Sequence, residues 1–170
     1  MSAKADRKGG SVERIAFFQL LNLSACQSRQ MEEEMKNENC IFCKIANGEI
    51  PSKTLYEDEE FRVILDLGPA AKGHALIMPK NHYANLYELP EEAAAKAMIL
   101  AKKMAARMTD RLHCDGFNLM QNNGEVAGQT VFHFHMHLIP RYKDDGQTIG
   151  WKPGEPSADE LERIKNEITG

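Results

Sequence analysis

From residue 40 onward, apolar and polar positions follow periods that predict a run of short elements. Cys40 to Ala46 predicts a helical turn closed by Asn47-Gly48. Ser52–Tyr56 and Phe61–Leu65 read as two strands joined by the acidic turn Glu57–Glu60. Gly73–Met78 is an apolar strand stopped by Pro79. Pro90-Glu-Glu opens a helix running to about Leu112, with proline and acids at its dipole-positive end. Ala97, Leu100, Ala101, Met104 and Met108 recur at three- and four-residue steps and predict its buried stripe. Phe117–Gln121 is a strand, Asn122–Gly128 a loop of turn formers, and Val131–Ile139 a final strand ended by Pro140. A Gly- and Pro-rich tail follows, and Ser157 caps a terminal helix starting at Ala158. Strands on short turns with one long helix inserted predict an α+β fold with a mainly antiparallel sheet.

A chain of 170 residues with 42% apolar content is the size of one domain with an appended segment. Its net charge of −4 offers no basic field for nucleic acid. No apolar run approaches the ~20 residues needed to span a bilayer, so no membrane partner is expected. Cys40-Ile-Phe-Cys43 suggests metal or redox chemistry in a reducing, cytoplasmic setting. The expected division is an extension over 1–38, a domain over 39–143 and a tail with the terminal helix over 144–170.

Three readings of the extension stay open. Its basic start, the apolar stretch Ile15–Leu23 and Leu23-Ser-Ala-Cys26 resemble an export signal, though Gln19 and Asn22 interrupt it. It also reads as a helix packed on the domain or on a second subunit. Alternatively Met35 is the natural start, with the codons of Glu32–Glu34 serving as a purine-rich ribosome-binding site.

The segment Val131-Phe-His-Phe-His-Met-His-Leu-Ile139 holds three of the six histidines. In a strand, His133, His135 and His137 would share one face at steps of roughly 6.6 Å, with Phe134, Met136 and Leu138 turned to the core. Such a row suits a metal held by imidazoles or nucleophilic catalysis by one of them. Gly128-Gln-Thr130 places a backbone N–H, an amide and a hydroxyl just before it, neutral donors of the kind that cradle phosphate. Cys40-x-x-Cys43 by itself suits zinc or redox chemistry, but no βαβ pattern supports a thioredoxin-like site.

Ala127-Gly-Gln-Thr-Val-Phe-His-Phe-His-Met-His-Leu-Ile139 resembles the signature of the histidine triad family, His-φ-His-φ-His-φ-φ with φ apolar. Asp66, Gly73-His74 and Pro79-Lys-Asn-His82 extend the likeness over residues 40–141. The resemblance implies a five-stranded antiparallel sheet with one long helix, dimerised into a larger sheet, binding purine nucleotides and cleaving at the α-phosphorus. By that likeness His135 is the nucleophile and forms a nucleotidyl-imidazole, while His137 contacts the α-phosphate and leaving group. His74 buttresses the triad. Asn122, Gly128, Gln129, Thr130 and Val131 surround the phosphate, Asp66 takes the ribose hydroxyls, and Phe42 and Leu65 form the base slot.

Zinc-containing branches of the family resemble this chain more closely still. They pair the two cysteines with two histidines, which here implies structural Zn2+ on Cys40, Cys43, His82 and His133. The implied activity is hydrolysis of adenosine phosphoramidates or dinucleoside polyphosphates in a homodimer. Alternatives are a nucleotidyltransferase of the hexose-1-phosphate uridylyl type, disfavoured by Phe134 between the histidines, or a nucleotide-binding sensor. Arg141, Tyr142, Lys143 and Trp151 are expected to shape the leaving-group side.

Overall fold

The computed structural model describes residues 36–148, 150 and 152–170. The expectations for residues 1–34 and for Trp151 lie outside the described residues. In chain order the elements are α1 (Ile41–Ala46), β1 (Thr54–Glu57), β2 (Phe61–Leu65), β3 (Ala75–Pro79), α2 (Glu91–Leu112), β4 (Gly116–Met120), β5 (Met136–Arg141) and α3 (Ala158–Thr169). A 3-10 turn, Glu125–Ala127, lies within the β4–β5 connection. The five strands form one antiparallel sheet, as the sequence predicts, in the order β1-β2-β3-β5-β4.

Strand alternation divides the core between the two faces of this sheet. Phe61 and Val63 of β2, Ala75 and Ile77 of β3, and Met136 and Leu138 of β5 pack on the α2 side with Phe134. They meet the predicted stripe of α2, which is buried at Ala97, Leu100, Ala101, Met104 and Met108. Ile64, Leu76 and Met78 face the other way and pack against Ala46, Phe42 and Ile45 of α1. β3 is covered on both faces, which is why Ala75–Pro79 is apolar throughout.

The final strand differs from its prediction. Val131–Ile139 was expected, but the ladder begins only at Met136 and runs on through Pro140 to Arg141. Residues 131–135 turn to other partners. Phe134 N–H donates to Tyr83 O at 2.6 Å and His133 N–H to Val131 O at 2.9 Å. β3 pairs with β5 only from Ala75↔Leu138 to Ile77↔Met136, because the Pro79 carbonyl accepts from a histidine side chain instead. At the far end β5 has outrun β3, so the N–H missing from Pro140 removes no ladder bond there. The apolar alternation survives this change, with Phe134, Met136 and Leu138 all buried.

The described residues of the tail from 144 carry no strand before Ser157, whose Oγ accepts from Glu160 N–H at 3.2 Å and caps α3.

Candidate active site

The three histidines of the motif separate into two groups. His133, wholly buried, turns toward the start of α1, where Cys40 is the N-cap residue and Cys43 follows in the first turn. Its Nδ1 lies 3.6 Å from Cys40 Sγ and 3.5 Å from Cys43 Sγ, and His82 Nδ1 lies 3.3 Å from Cys43 Sγ. One ligand atom from each of the four residues falls within 4.8 Å of all the others. A tetrahedral zinc with ordinary bond lengths requires S···N edges of about 3.6 Å, which these three S···N distances match.

The surroundings agree with that fit. His133 Nε2–H donates to Pro79 O at 2.9 Å, which assigns the tautomer and leaves Nδ1 as the ligating nitrogen. Burial first, and then the neighbouring His82 and His135, bring the His133 imidazole down to about 4, so it is neutral at ordinary pH. Burial raises the Cys43 thiol to about 11, with Cys40 adding to the effect. A cation between the two sulfurs reverses that cost by favouring the thiolates.

His135 and His137 face a cavity of about 380 Å³, also lined by Phe42, Leu65, Asp66 and Thr130. Their rings stand 5.0 Å apart, closer than a flat strand would set them. His135 Nδ1–H donates to the His133 carbonyl at 2.7 Å, so its Nε2 carries the free lone pair. The ring edge of Phe42 packs 5.0 Å from that imidazole. Burial lowers the His135 pKa against the opposing pull of the His133 carbonyl and Asp66. Burial, then His135 and His74, bring His137 down to about 4.

A chain of hydrogen bonds assigns the proton on His137. Ala70 N–H donates to His74 Nδ1 at 3.0 Å, so His74 carries its own proton on Nε2. That Nε2–H donates to His137 Nδ1 at 2.9 Å, leaving His137 with a proton on Nε2. Asp66 Oδ2 lies 3.7 Å from His74 Nε2. Asp66, His74 and His137 have the spacing of a metal cluster. The backbone N–H on His74 Nδ1 argues against one, since ligation through Nε2 would leave that ring without a proton. His74 and His137 form a hydrogen-bond relay, with the Asp66 carboxylate beside it but outside hydrogen-bond distance.

The donors expected around the phosphate are only partly available. Gly128 N–H bonds Glu125 O at 2.8 Å, and Gln129 N–H bonds Gly124 O at 3.1 Å. The buried Gln129 amide donates to Ala84 O at 2.6 Å and Val131 O at 3.1 Å, while its oxygen accepts from Gly124 N–H at 2.8 Å. The expectation that the Gln129 amide and the Gly128 N–H cradle phosphate is therefore corrected. Both residues shape the loop, Gly128 by a left-handed φ of 87°. Asn122 sits beside them, its amide 3.5 Å from Gly128 O. What remains free is the Thr130 hydroxyl with the Thr130 and Val131 N–H groups, which meet no acceptor among the described residues.

A family model for the HIT domain matches residues 47–144. The chain belongs to the HIT family. Its relatives include an adenosine 5′-monophosphoramidase of Saccharomyces cerevisiae, 44% identical over 76% of this chain and 80% of the relative. The crystal structure of a HIT-family member from Bacillus subtilis superposes with a TM-score of 0.73 at 44% identity, covering 78% of this chain and 96% of that one. A Zn-bound histidine triad protein from Mycobacterium smegmatis gives 0.62 at 36% identity, covering 77% and 96%.

Within this HIT domain several cavity residues were not anticipated from the motif. Ile64 and Leu76 line the wall because they lie on the α1 face of β2 and β3, opposite Val63 and Ile77. The period-two alternation of those strands carried that signal. Ile41, Ile50 and Lys53 also line it, from α1 and the segment before β1, and no local pattern distinguished them.

Proposed function

We propose that this HIT protein is a nucleotidyl hydrolase, cleaving at the α-phosphorus of adenosine phosphoramidates or dinucleoside polyphosphates through a covalent intermediate on His135. The observation that carries this reading is the His135 imidazole, neutral, facing the cavity, and with Nδ1–H tied to a carbonyl so that Nε2 is the free nucleophile. The name of the yeast relative supports the substrate class.

In this mechanism the flat base lies among Phe42, Leu65 and Leu76, and Asp66 accepts from the ribose hydroxyls. Thr130 and the free N–H groups after Gln129 hold the phosphate oxygens. His135 Nε2 attacks phosphorus and the bond from phosphorus to the leaving nitrogen or oxygen breaks, the departing group taking a proton from solvent that the attacking water gives back in the second step. His137 Nε2–H, set by His74, donates to the phosphate or the leaving group. Water then attacks the nucleotidyl-imidazole, releasing the nucleotide and restoring the free ring. Cys40, Cys43, His82 and His133 would hold zinc, which when bound would supply a structural cross-link between the start of α1 and the sheet. A cytoplasmic homodimer completes the reading.

His135→Ala tests it. Turnover of adenosine phosphoramidate should fall by at least about a thousandfold while nucleotide affinity stays within a few-fold, as for loss of a nucleophile. Acid-quenched wild-type enzyme should carry a nucleotidyl group on the peptide containing His135. An adduct on another residue, or turnover that survives the substitution, refutes the mechanism.

A further inference from the structure

On the α2 side of the sheet, between α2 and β1–β2, lies a second cavity of about 430 Å³. Its floor is apolar, built from Leu65, Met104, Met108 and Leu112, and Lys72, Arg107 and Arg111 stand around it. Among the described residues no carboxylate pairs with Lys72 or Arg107. Arg111 meets only Asp110 beside it on α2, both largely exposed. The groove has three cations and no acid of its own facing them.

α3 has the complementary character. Every residue of Ala158–Thr169 is exposed, so its apolar stripe is not packed against the other described residues. Leu161, Ile164 and Ile168 form that stripe at steps of three and four, with exposures of 54%, 37% and 78%. At about 100° per residue, Glu160 and Glu167 flank it on one side, Glu167 in a solvent-exposed pair with Arg163 at 2.7 Å. The helix carries four acids, Asp159, Glu160, Glu162 and Glu167, against two bases, Arg163 and Lys165.

The dimensions also correspond. The groove follows α2 from Met104 to Leu112, about 12 Å at the helical rise, and Leu161 to Ile168 spans about 10 Å. An isolated helix of this length is marginal in water and depends on packing of its apolar face.

We propose that α3 of a second copy docks in this groove. Leu161, Ile164 and Ile168 insert over Met104 and Met108, and Glu160 and Glu167 meet Arg107 and Arg111. The contact follows the helix-in-groove mode, and its reciprocity about a two-fold axis makes it self-limiting. A second copy is the occupant because every residue of α3 is exposed, so α3 of the same chain does not fill the groove.

Photo-crosslinking of the full chain tests this. A chain with p-benzoylphenylalanine in place of Ile164 is mixed with a 15N-labelled copy, irradiated, digested and analysed by mass spectrometry. Crosslinks should join the α3 peptide to the peptide spanning Met104–Leu112, with the latter in both isotopes. Arg107→Glu with Arg111→Glu, at two exposed positions whose thermal melt should not move, should lower the yield by about tenfold. Adding Glu160→Lys and Glu167→Lys should restore it. Crosslinks in the bait's isotope alone, capture on another surface, no crosslink, or a yield indifferent to charge reversal would each overturn the proposal. None of these readouts depends on catalysis.

Discussion

Replacing Asp66 by asparagine keeps the shape of the side chain and removes its charge. The carboxylate lines the histidine cavity and is 22% exposed, with Oδ1 accepting from Gly68 N–H at 2.8 Å. Asparagine preserves that turn contact through its own oxygen. The ribose loses a charged acceptor and meets a neutral one. Hydrogen bonds to a charged group contribute about 1.5–3 kcal/mol against about 0.5–1.5 for neutral pairs, so the change removes about 1–2 kcal/mol of substrate binding. That corresponds to a rise in KM of about 5- to 30-fold with kcat nearly unchanged.

The assay is steady-state hydrolysis of adenosine phosphoramidate and of its 2′,3′-dideoxy analogue by both proteins. The loss should appear with the ribonucleotide and vanish with the analogue, which lacks the hydroxyls. A second readout follows from charge. Asp66 holds the His135 and His74 imidazoles higher than burial alone would set them. Neutralising it lowers both, so the acid limb of the rate profile should move to lower pH. An equal loss on both substrates, or an acid limb that moves up, would refute the ribose assignment.

Three further expectations can be checked directly. For the wild type, burial depresses the imidazoles and the neutral ring is the active form, so kcat/KM should be flat above about pH 6.5 and fall only below it; an inflection above 6.5 contradicts the assigned protonation states. Metal analysis should find one zinc per chain, and Cys43→Ser or chelation should lower the melting temperature while far-UV dichroism persists, because the α2 core contains none of the four ligands. At free zinc about a thousandfold above Kd, that loss is about 4 kcal/mol. Gly73→Ala should destabilise by about 2–4 kcal/mol in urea titration, since Gly73 has a φ of +86° and an added Cβ would collide with the Leu112 side chain. Gly146→Ala, with nothing within 4 Å of the added Cβ, should show the backbone cost alone.

Much of the architecture was readable from local pattern. The stripe Ala97–Met108, the turn-bounded strands and the cap at Ser157 are short-range features, and periodicity reports which face of an element is apolar. The alternation of Phe134, Met136 and Leu138 with the three histidines was correct in the same sense. It held even though the backbone of residues 131–135 leaves the ladder.

Periodicity does not report which distant group a side chain meets. By periodicity alone His133 is a neighbour of His135 in a uniform row; it was the family resemblance that pointed to Cys40 and Cys43, some ninety residues away in sequence, and folding brings His133 to them. Gln129 and Gly128 looked like free donors, but the approach of Ala84 and the turn at Glu125 occupy them. The proton positions on His74 and His137 depend on an N–H at Ala70 and on pairing between β3 and β5. The order of residues along the chain carries the identity and spacing of reactive groups. Their partners, tautomers and free lone pairs come from contacts closed across long stretches of chain, since a hydrogen-bonding group is reactive only where no neighbour has already occupied it.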